Sequence, residues 1–512
     1  MPREFHLQNF RCYITPLSPL YIGCGVTYTP MEYVIDQGVL YHFAAGMVPL
    51  SERMRKDLEV ASDSSELCAV PALFAKNRNY FAAFADYAVE VDKTIEADYK
   101  RMTLAFDDRN QNQVFRTAFR QLPTGATAPY VPGSGLKGVI RTALVDRLSG
   151  NRIQQKGFEK ELLGGDFEYS PLRFLKVGDF LCLRNPLMRV ERCSRYYKAG
   201  SELAMKRSVF NKFEYVMPAQ YRLFEGQIEL QSPVEECVDE RRCYQSMEEV
   251  ARDLNRFYAE RFAESCREEL WQRSRLEEKR WIDECQRLFR QLAAGMRAGR
   301  LALIRIGGNV GAESMTLRNG SACIWNRQKK VDMKSATTAW TAQLKGNTLP
   351  FGWAVIEFAP EEDNAALRSW CGQFNRGVRS PESLVAELAS RREAISAVLR
   401  KEQEERRRSD ELAQRAREEQ EKRAAEFASL PENKRLVHQI VDLMGQVAVI
   451  NPGEQLYQKV FSTLAEACAS WSADEQKYCA EKIGPLVKKK DMYKGKKAKE
   501  LKTMLARLRQ EM

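Results

Sequence analysis

Pro129-Tyr130-Val131-Pro132-Gly133-Ser134-Gly135-Leu136-Lys137-Gly138-Val139-Ile140-Arg141-Thr142-Ala143-Leu144 is the stretch whose reading decides the fold. Two prolines and three glycines give way within a few residues to helix-compatible residues, so a tight loop should feed the first turn of a helix. Such a start leaves backbone N–H groups without intrahelical partners at the positive end of the macrodipole, and glycines let an anion approach the backbone. Ser134 adds a hydroxyl, and Lys137 and Arg141, four residues apart, share a helical face and add two charges. Val139, Ile140, Ala143, Leu144 and Leu148 then recur at helical spacing, and Gly150 is a stop signal. Three readings compete: a dinucleotide fingerprint, a helix start whose glycines only permit close packing, and a cradle for nucleic-acid phosphates. Gly133, Gly135 and Gly138 satisfy G-x-G-x-x-G, but Leu122 to Pro129 reads as an irregular loop where the dinucleotide motif needs a buried strand.

The rest of the chain weighs these readings. Its 512 residues suffice for a sizeable core in two or three domains, and 80 Lys plus Arg against 69 Asp plus Glu give a net charge of +11. Thirteen cysteines never fall in a C-x-x-C pair, which indicates neither a disulfide framework nor a zinc site and fits a reduced cytoplasm. No apolar run reaches the length of a membrane span, and the first residues lack the apolar segment of a signal peptide. His6, His42 and His438 are the only histidines, which disfavours His-based metal binding or acid-base chemistry.

Outward from the central stretch, Phe10 to Ile14 alternate as a half-buried strand does, and Ser18-Pro19-Leu20-Tyr21-Ile22-Gly23-Cys24-Gly25 then turns sharply. Tyr33 to Ile35 and Val39 to Phe43, joined by Asp36-Gln37-Gly38, predict a hairpin. Leu172 to Phe180, Phe213 to Val216, Phe224 to Leu230, Leu301 to Ile306 and Trp353 to Phe358 add strands, whereas residues 233–300 read as an inserted or bridging helical segment with an apolar stripe at Trp271, Trp281 and Leu288. Between strands, the basic segment Arg189 to Arg207 with Tyr196 and Tyr197 suits either RNA stacking or a solvated loop. A second glycine-rich loop, Gly307-Gly308-Asn309-Val310-Gly311, follows Arg305 and could form an anion-binding nest or a plain tight turn. Ser380-Pro381-Glu382 opens a helix. Leu384, Leu388, Ile395, Val398 and Leu399 give that helix an early packing face, for its own core or for a partner subunit, but between Arg400 and Phe427 Leu412 is the only large apolar residue. Near the end, Lys488, Lys489, Lys490, Lys494, Lys496, Lys497, Lys499 and Lys502 could hold phosphates nonspecifically or keep a tail soluble.

Taken in order, these motifs resemble the RAMP proteins of CRISPR systems. Pro19-Leu20-Tyr21-Ile22-Gly23-Cys24-Gly25 is similar to the superfamily's P-L-x-I-G-x-G, Val131 to Arg141 to its I-P-G-S-S-L-K-G-x-I-R, and the late loop to its glycine-rich loop; Gly135 replaces the second serine. Leu349-Pro350-Phe351-Gly352-Trp353 resembles the P-L-G-W ending of the Csm-type (type III-A) subunit that caps the crRNA 3′ end. The resemblance spans roughly residues 8 to 360. It implies an α+β fold of tandem ferredoxin-like, RRM-related units: residues 1–232, a helical insertion at 233–300, a second unit at 301–380, and a helical C-terminal extension with a basic tail at 381–512. The implied role is a noncatalytic, cytoplasmic crRNA-binding and assembly subunit that needs no cofactor or metal and supports crRNA maturation in antiviral defence. Its implied partners are crRNA, neighbouring Csm subunits, above all the backbone RAMP subunit, and host nucleases. Gly23, Gly25, Gly133, Ser134, Gly135, Lys137, Gly138, Arg141, Arg305, Gly307, Gly308 and Gly311 are the expected RNA contacts, made by shape and charge. The alternative is a RAMP-type endoribonuclease, for which Asp107-Asp108 is the nearest carboxylate pair.

Overall fold

In the computed structural model, the described residues are 7–66, 69–104, 114–123, 125, 127–150, 158–197, 209–231, 239–265, 280–317, 324–326, 331–333, 338–344, 347–375 and 379–510. The chain divides into two compact units, Met1–Leu399 and Arg400–Met512.

The first unit is built on two large sheets. One has eight strands in the order Leu301–Arg305, Trp353–Phe358, Leu7–Pro16, Phe224–Gln231, Phe180–Cys182, Thr127–Val131 and Phe119–Gln121, with Leu175–Val177 also paired to Phe224–Gln231. Its pairings are antiparallel, with Ile14 opposite both Phe224 and Ile356. Along the chain, Leu7–Pro16, the helix Gly133–Ser149, Phe180–Cys182, Phe224–Gln231, the helix Met247–Ser265 and Trp353–Phe358 follow the β-α-β-β-α-β order of a ferredoxin-like unit. All six residues of Trp353–Phe358 are buried, as a central strand covered on both faces requires.

The second sheet has nine strands in the order Gly23–Thr27, Val114–Thr117, Val209–Val216, Met188–Tyr197, Tyr87–Val91, Val39–His42 and Tyr33–Asp36, with Thr338–Leu344 and Asn347–Pro350 joined through Met188–Tyr197. The expected hairpin is present: Gln37 and Gly38 both take positive φ, 50° and 77°, as the two-residue turn favoured by strand twist demands.

Several expectations change. Residues 122–129, read as an irregular loop, hold the start of the strand Thr127–Val131, which leads directly into the helix Gly133–Ser149. That strand runs antiparallel to Phe180–Cys182, so the parallel β-α-β crossover of a dinucleotide site is still missing. Residues 233–300, read as an inserted or bridging helical segment, join the main core where described: Met247, Val250, Leu254, Phe257, Trp281 and Leu288 are buried, and the Trp281 indole donates to the Leu17 carbonyl at 2.9 Å. Leu301–Arg305 and Trp353–Phe358, assigned to a second unit, hydrogen-bond into the same sheet as Leu7–Pro16. The borders at 232 and 300 therefore separate no compact units. Trp271, His6 and Asp107-Asp108 lie outside the described residues.

The helix Pro381–Ser429 starts as expected, with the Ser380 hydroxyl accepting from the Ser383 amide at 3.2 Å. Leu384 and Leu388 pack with Val34, Tyr41, Phe43, Phe74 and Phe81, so these two residues of the early apolar face serve the chain's own core, whereas Val398 is 54% exposed. From residue 400 onward the same helix is exposed almost throughout and carries ion pairs such as Arg408 with Glu404 and Arg423 with Glu419. The helices Glu432–Gln446, Gln455–Ser470, Ala473–Lys489 and Ala498–Gln510 then enclose a separate core. No described helix is long and apolar enough to cross a membrane.

Candidate nucleic-acid interface

Three glycine-bearing segments far apart in sequence meet beside the eight-stranded sheet. Gly308 N–H donates to the Tyr21 carbonyl at 2.7 Å, Gly352 N–H to Pro19 at 2.9 Å, and Ile306 N–H to Gly352 at 2.8 Å. The Ser18 hydroxyl accepts from Trp353 N–H at 2.9 Å. These bonds tie the Ser18–Gly25 turn, the Gly307–Gly311 loop and Leu349–Trp353 into one backbone cluster. The helix Gly133–Ser149 begins alongside, because Ile306 Cδ1 lies 4.0 Å from where a Gly135 Cβ would sit.

The glycines of this cluster do different work. A Cβ on Gly133 would stand 2.2 Å from the Val177 carbonyl oxygen, and one on Gly307, whose φ is 101°, would stand 2.5 Å from the Tyr21 oxygen. A Cβ on Gly308 would meet the Tyr21 ring at 2.8 Å. Close packing accounts for these three. It does not account for Gly135 or Gly138, which are exposed and helical, and where an added Cβ would meet nothing nearer than 4.0 Å. Glycine in a helix interior costs about 1 kcal/mol relative to alanine. Two such residues three apart, facing solvent beside Ser134, suit the close approach of a ligand backbone.

The buried face of this helix, Leu136, Val139, Ile140, Ala143 and Leu144, packs into the core and fixes which side is presented outward. Gly150 ends it with φ 58°, as its position suggested. Ser134 is exposed, and Lys137 is half-buried, its ammonium pKa lowered by desolvation. Among the described residues Lys137 makes no ion pair.

Other expected contacts are already engaged. Arg141 pairs with Glu159 at 2.7 Å, both groups being about two-fifths exposed, so an incoming phosphate must compete with a carboxylate. The Gly133 amide donates to Asp179 Oδ1 at 2.8 Å, and Asp179 also pairs with Arg120. The helix start is thus capped by a carboxylate in part, which favours the helix and opposes anions. Arg305 requires correction. It is 2% exposed, its Nε donates to the Phe351 carbonyl at 3.0 Å, and its guanidinium lies 5.0 Å from the centre of the Trp353 ring. That side chain holds the Leu349–Trp353 segment rather than facing a ligand. Gly23 and Gly25 are exposed at the turn, Gly25 with φ 75°; Gly311, φ 77°, precedes the short helix Ala312–Met315.

Sequence reasoning passed over Asp179, Glu159 and Tyr21. Asp179 sits in a run that alternates like a strand, Glu159 is eighteen residues from Arg141, and Tyr21 acts through its carbonyl; none carries a local signal. Sequence reasoning also passed over the support beneath the turn. Ile22 N–H donates to the Thr117 hydroxyl at 3.1 Å, and Thr117 N–H donates to Glu214 at 3.1 Å. Glu214 is fully buried, accepts from the Tyr28 hydroxyl, and has its carboxyl pushed up to about 7 by burial. Of the basic strand segment, Arg192 stacks on Phe210 at 4.3 Å from the ring centre, while residues 198–208 lie outside the described set. His42 pairs with Asp86, and among the described residues no three His, Cys, Asp or Glu side chains form a group that could hold a metal ion.

The ferredoxin-like sheet thus brings a glycine-bearing helix start and a glycine-rich loop together at one side. The RAMP superfamily model matches residues 13–312, and the chain belongs to that superfamily. No curated protein matches it. Among solved structures, a chain of a Csm-crRNA-target RNA ternary complex of a type III-A CRISPR-Cas system is similar at 16% identity and TM-score 0.39, covering 68% of this chain and 100% of that one. Csm5 of T. onnurineus is similar at 14% identity and TM-score 0.37, covering 67% and 99%.

Proposed function

We propose that this chain is a noncatalytic crRNA-binding and assembly subunit of a type III-A (Csm) CRISPR effector ribonucleoprotein, capping the crRNA 3′ end and supporting crRNA maturation. Superfamily membership and the Csm-like Leu349 to Trp353 motif support the assignment. The observation that carries the RNA-binding part is the pair of exposed helical glycines, Gly135 and Gly138, which packing leaves unexplained and which flank Lys137 beside the Gly307–Gly308 loop. The exposed Ser134 hydroxyl and the Lys137 ammonium would grip phosphates without reading bases, so the contact would follow RNA shape and charge. The expected partners are crRNA and neighbouring Csm subunits, in particular the backbone RAMP subunit, with host nucleases acting on the guide end.

The test is co-purification from cells expressing the whole CRISPR locus, comparing wild type with Gly138→Glu/Lys137→Glu, followed by sequencing of the bound RNA. Gly138 has room for a side chain, so the variant should fold. Guide RNAs of defined 3′ ends with wild type, lost or altered in length with the variant, are expected. Wild type that carries neither guide RNA nor Csm subunits overturns the proposal. Cleavage of CRISPR precursor RNA by the purified chain alone would favour the endoribonuclease alternative.

A further inference from the structure

The C-terminal helices carry their charge unevenly. From Lys477 to Arg509 twelve lysines and arginines face three acids, Glu481, Asp491 and Glu500; from Glu432 to Glu475 three bases face six acids. Eight of the twelve are the lysines between 488 and 502. They occupy the end of the helix Ala473–Lys489, the connection that follows, and the start of the helix Ala498–Gln510.

This basic segment is a folded corner, not a loose tail. Met492 is fully buried in the core of the unit, and its N–H donates to the Val487 carbonyl at 3.2 Å. Ile450 N–H donates to the Lys490 carbonyl at 3.2 Å, and the Lys490 ammonium reaches the Val447 carbonyl. Asp491 and Gly495 take φ of 58° and 86°, and a Cβ on Gly495 would stand 3.1 Å from Pro452. With its ends pinned, the corner displays Lys488, Lys489, Lys494, Lys496, Lys497, Lys499 and Lys502 to solvent.

Local stability explains only some of these charges. Lys488 and Lys489 suit a helix C-terminus, Lys494 pairs with Asp491, and the Lys497 ammonium lies 4.5 Å from the Phe461 ring centre. Lys496, Lys497 and Lys499, however, stand at the positive end of the next helix, where each cation is unfavourable by about 0.3–1 kcal/mol. Among the described residues, Lys488, Lys489, Lys496 and Lys499 make no ion pair. A fixed surface that concentrates uncompensated ammonium groups against the helix dipole calls for a polyanion. Flexible point charges without the fork geometry of arginine fit phosphates spaced along a strand.

We propose that this lysine corner is a second RNA-backbone site, separate from the glycine-bearing helix start and blind to base sequence. The site lies outside the residues matched to the superfamily and does not rest on the guide-RNA reading. It gives the chain an electrostatic hold on a single strand through the C-terminal unit alone.

The test uses residues 430–512, which have their own closed core, alongside the full chain. Binding of a fluorescent 30-nucleotide poly-U RNA is measured by anisotropy between 50 and 300 mM KCl. The comparison is with Lys488→Glu/Lys489→Glu/Lys496→Glu/Lys499→Glu, and with Lys496→Glu/Lys499→Glu alone, which favours the helix start and so stays folded. The wild-type fragment should bind at low salt. The quadruple change should lower affinity at least tenfold and make the log-log salt slope shallower by about three, at roughly 0.7 per phosphate contact on single strands. The double change should take about half of that slope. No binding by the fragment at 50 mM KCl, or equal affinity and slope in both folded variants, overturns the proposal. So does binding of vesicles of phosphatidylserine and phosphatidylcholine in preference to the RNA, which would assign the corner to a membrane surface. Because the fragment lacks residues 1–429, these outcomes are independent of whether the full chain carries guide RNA.

Discussion

Gly138→Ala should separate a glycine kept for a ligand from one kept for packing. The residue is exposed in the interior of the helix Gly133–Ser149, with no heavy atom within 4 Å of an added Cβ. Nothing in the free protein opposes the methyl group, and the helix should gain about 1 kcal/mol from the change in propensity. That gain corresponds to roughly fivefold slower local opening, readable by hydrogen-exchange mass spectrometry on peptides from residues 133–149. The same methyl group stands where an RNA backbone would approach beside Lys137, so affinity for single-stranded RNA should fall, by about five- to tenfold if the closest phosphate approach to the Lys137 ammonium is lost. The opposite signs are the signature. If exchange slows and RNA affinity does not change, the glycine is not a ligand contact; if exchange speeds up, the space around it is not free.

Gly133→Ala should behave in the other way, destabilising by about 1–3 kcal/mol because the backbone at Val177 must move from a Cβ otherwise 2.2 Å away, as a chemical melt would register. Arg305→Ala should cost about 3 kcal/mol of stability through the lost Phe351 and Trp353 contacts, and Arg305→Lys should not restore it; unchanged unfolding of both would return Arg305 to the ligand side. Asp179→Asn should weaken the helix start while raising RNA affinity at low salt, since it removes a negative charge bonded to the Gly133 amide; a fall in affinity would contradict this placement. For pH, the Glu214 carboxyl sits at about 7 in the folded chain against an ordinary 4.5 when unfolded, so the folded state holds the extra proton between those values. Its contribution is therefore favourable at low pH and lost as pH rises from about 4.5 through 7. Glu214→Gln should make that part of the melting profile shallower, with Tyr28, Tyr87 and Arg116 around the site left in place and the remaining slope due to Glu191, whose buried carboxyl is also pushed up to about 7; a profile that keeps its full slope would rule Glu214 out as a cause.

The sequence by itself determined the local pieces. Alternation marked Phe224–Gln231 and Trp353–Phe358, two short apolar runs joined by Asp36-Gln37-Gly38 marked the Tyr33–His42 hairpin, and apolar spacing with Gly150 marked the central helix and its end. Each depends on residues within one or two turns of one another, where period and steric rules act directly. The order of the glycine motifs also carried the superfamily. What only the tertiary structure decided was the company each piece keeps. Residues 301–305 and 353–358 pair into the sheet of residues 7–16, the helix Met247–Ser265 is core, and Arg305 is buried under Phe351 and Trp353. Asp179 and Glu159 occupy the Gly133 amide and Arg141 from a distance along the chain. Whether a glycine is forced by a neighbour, as Gly133 is, or stands in open space, as Gly138 does, depends on atoms brought in from other strands and loops. Local pattern carries no record of those atoms, because burial and pairing are set by contacts across the fold.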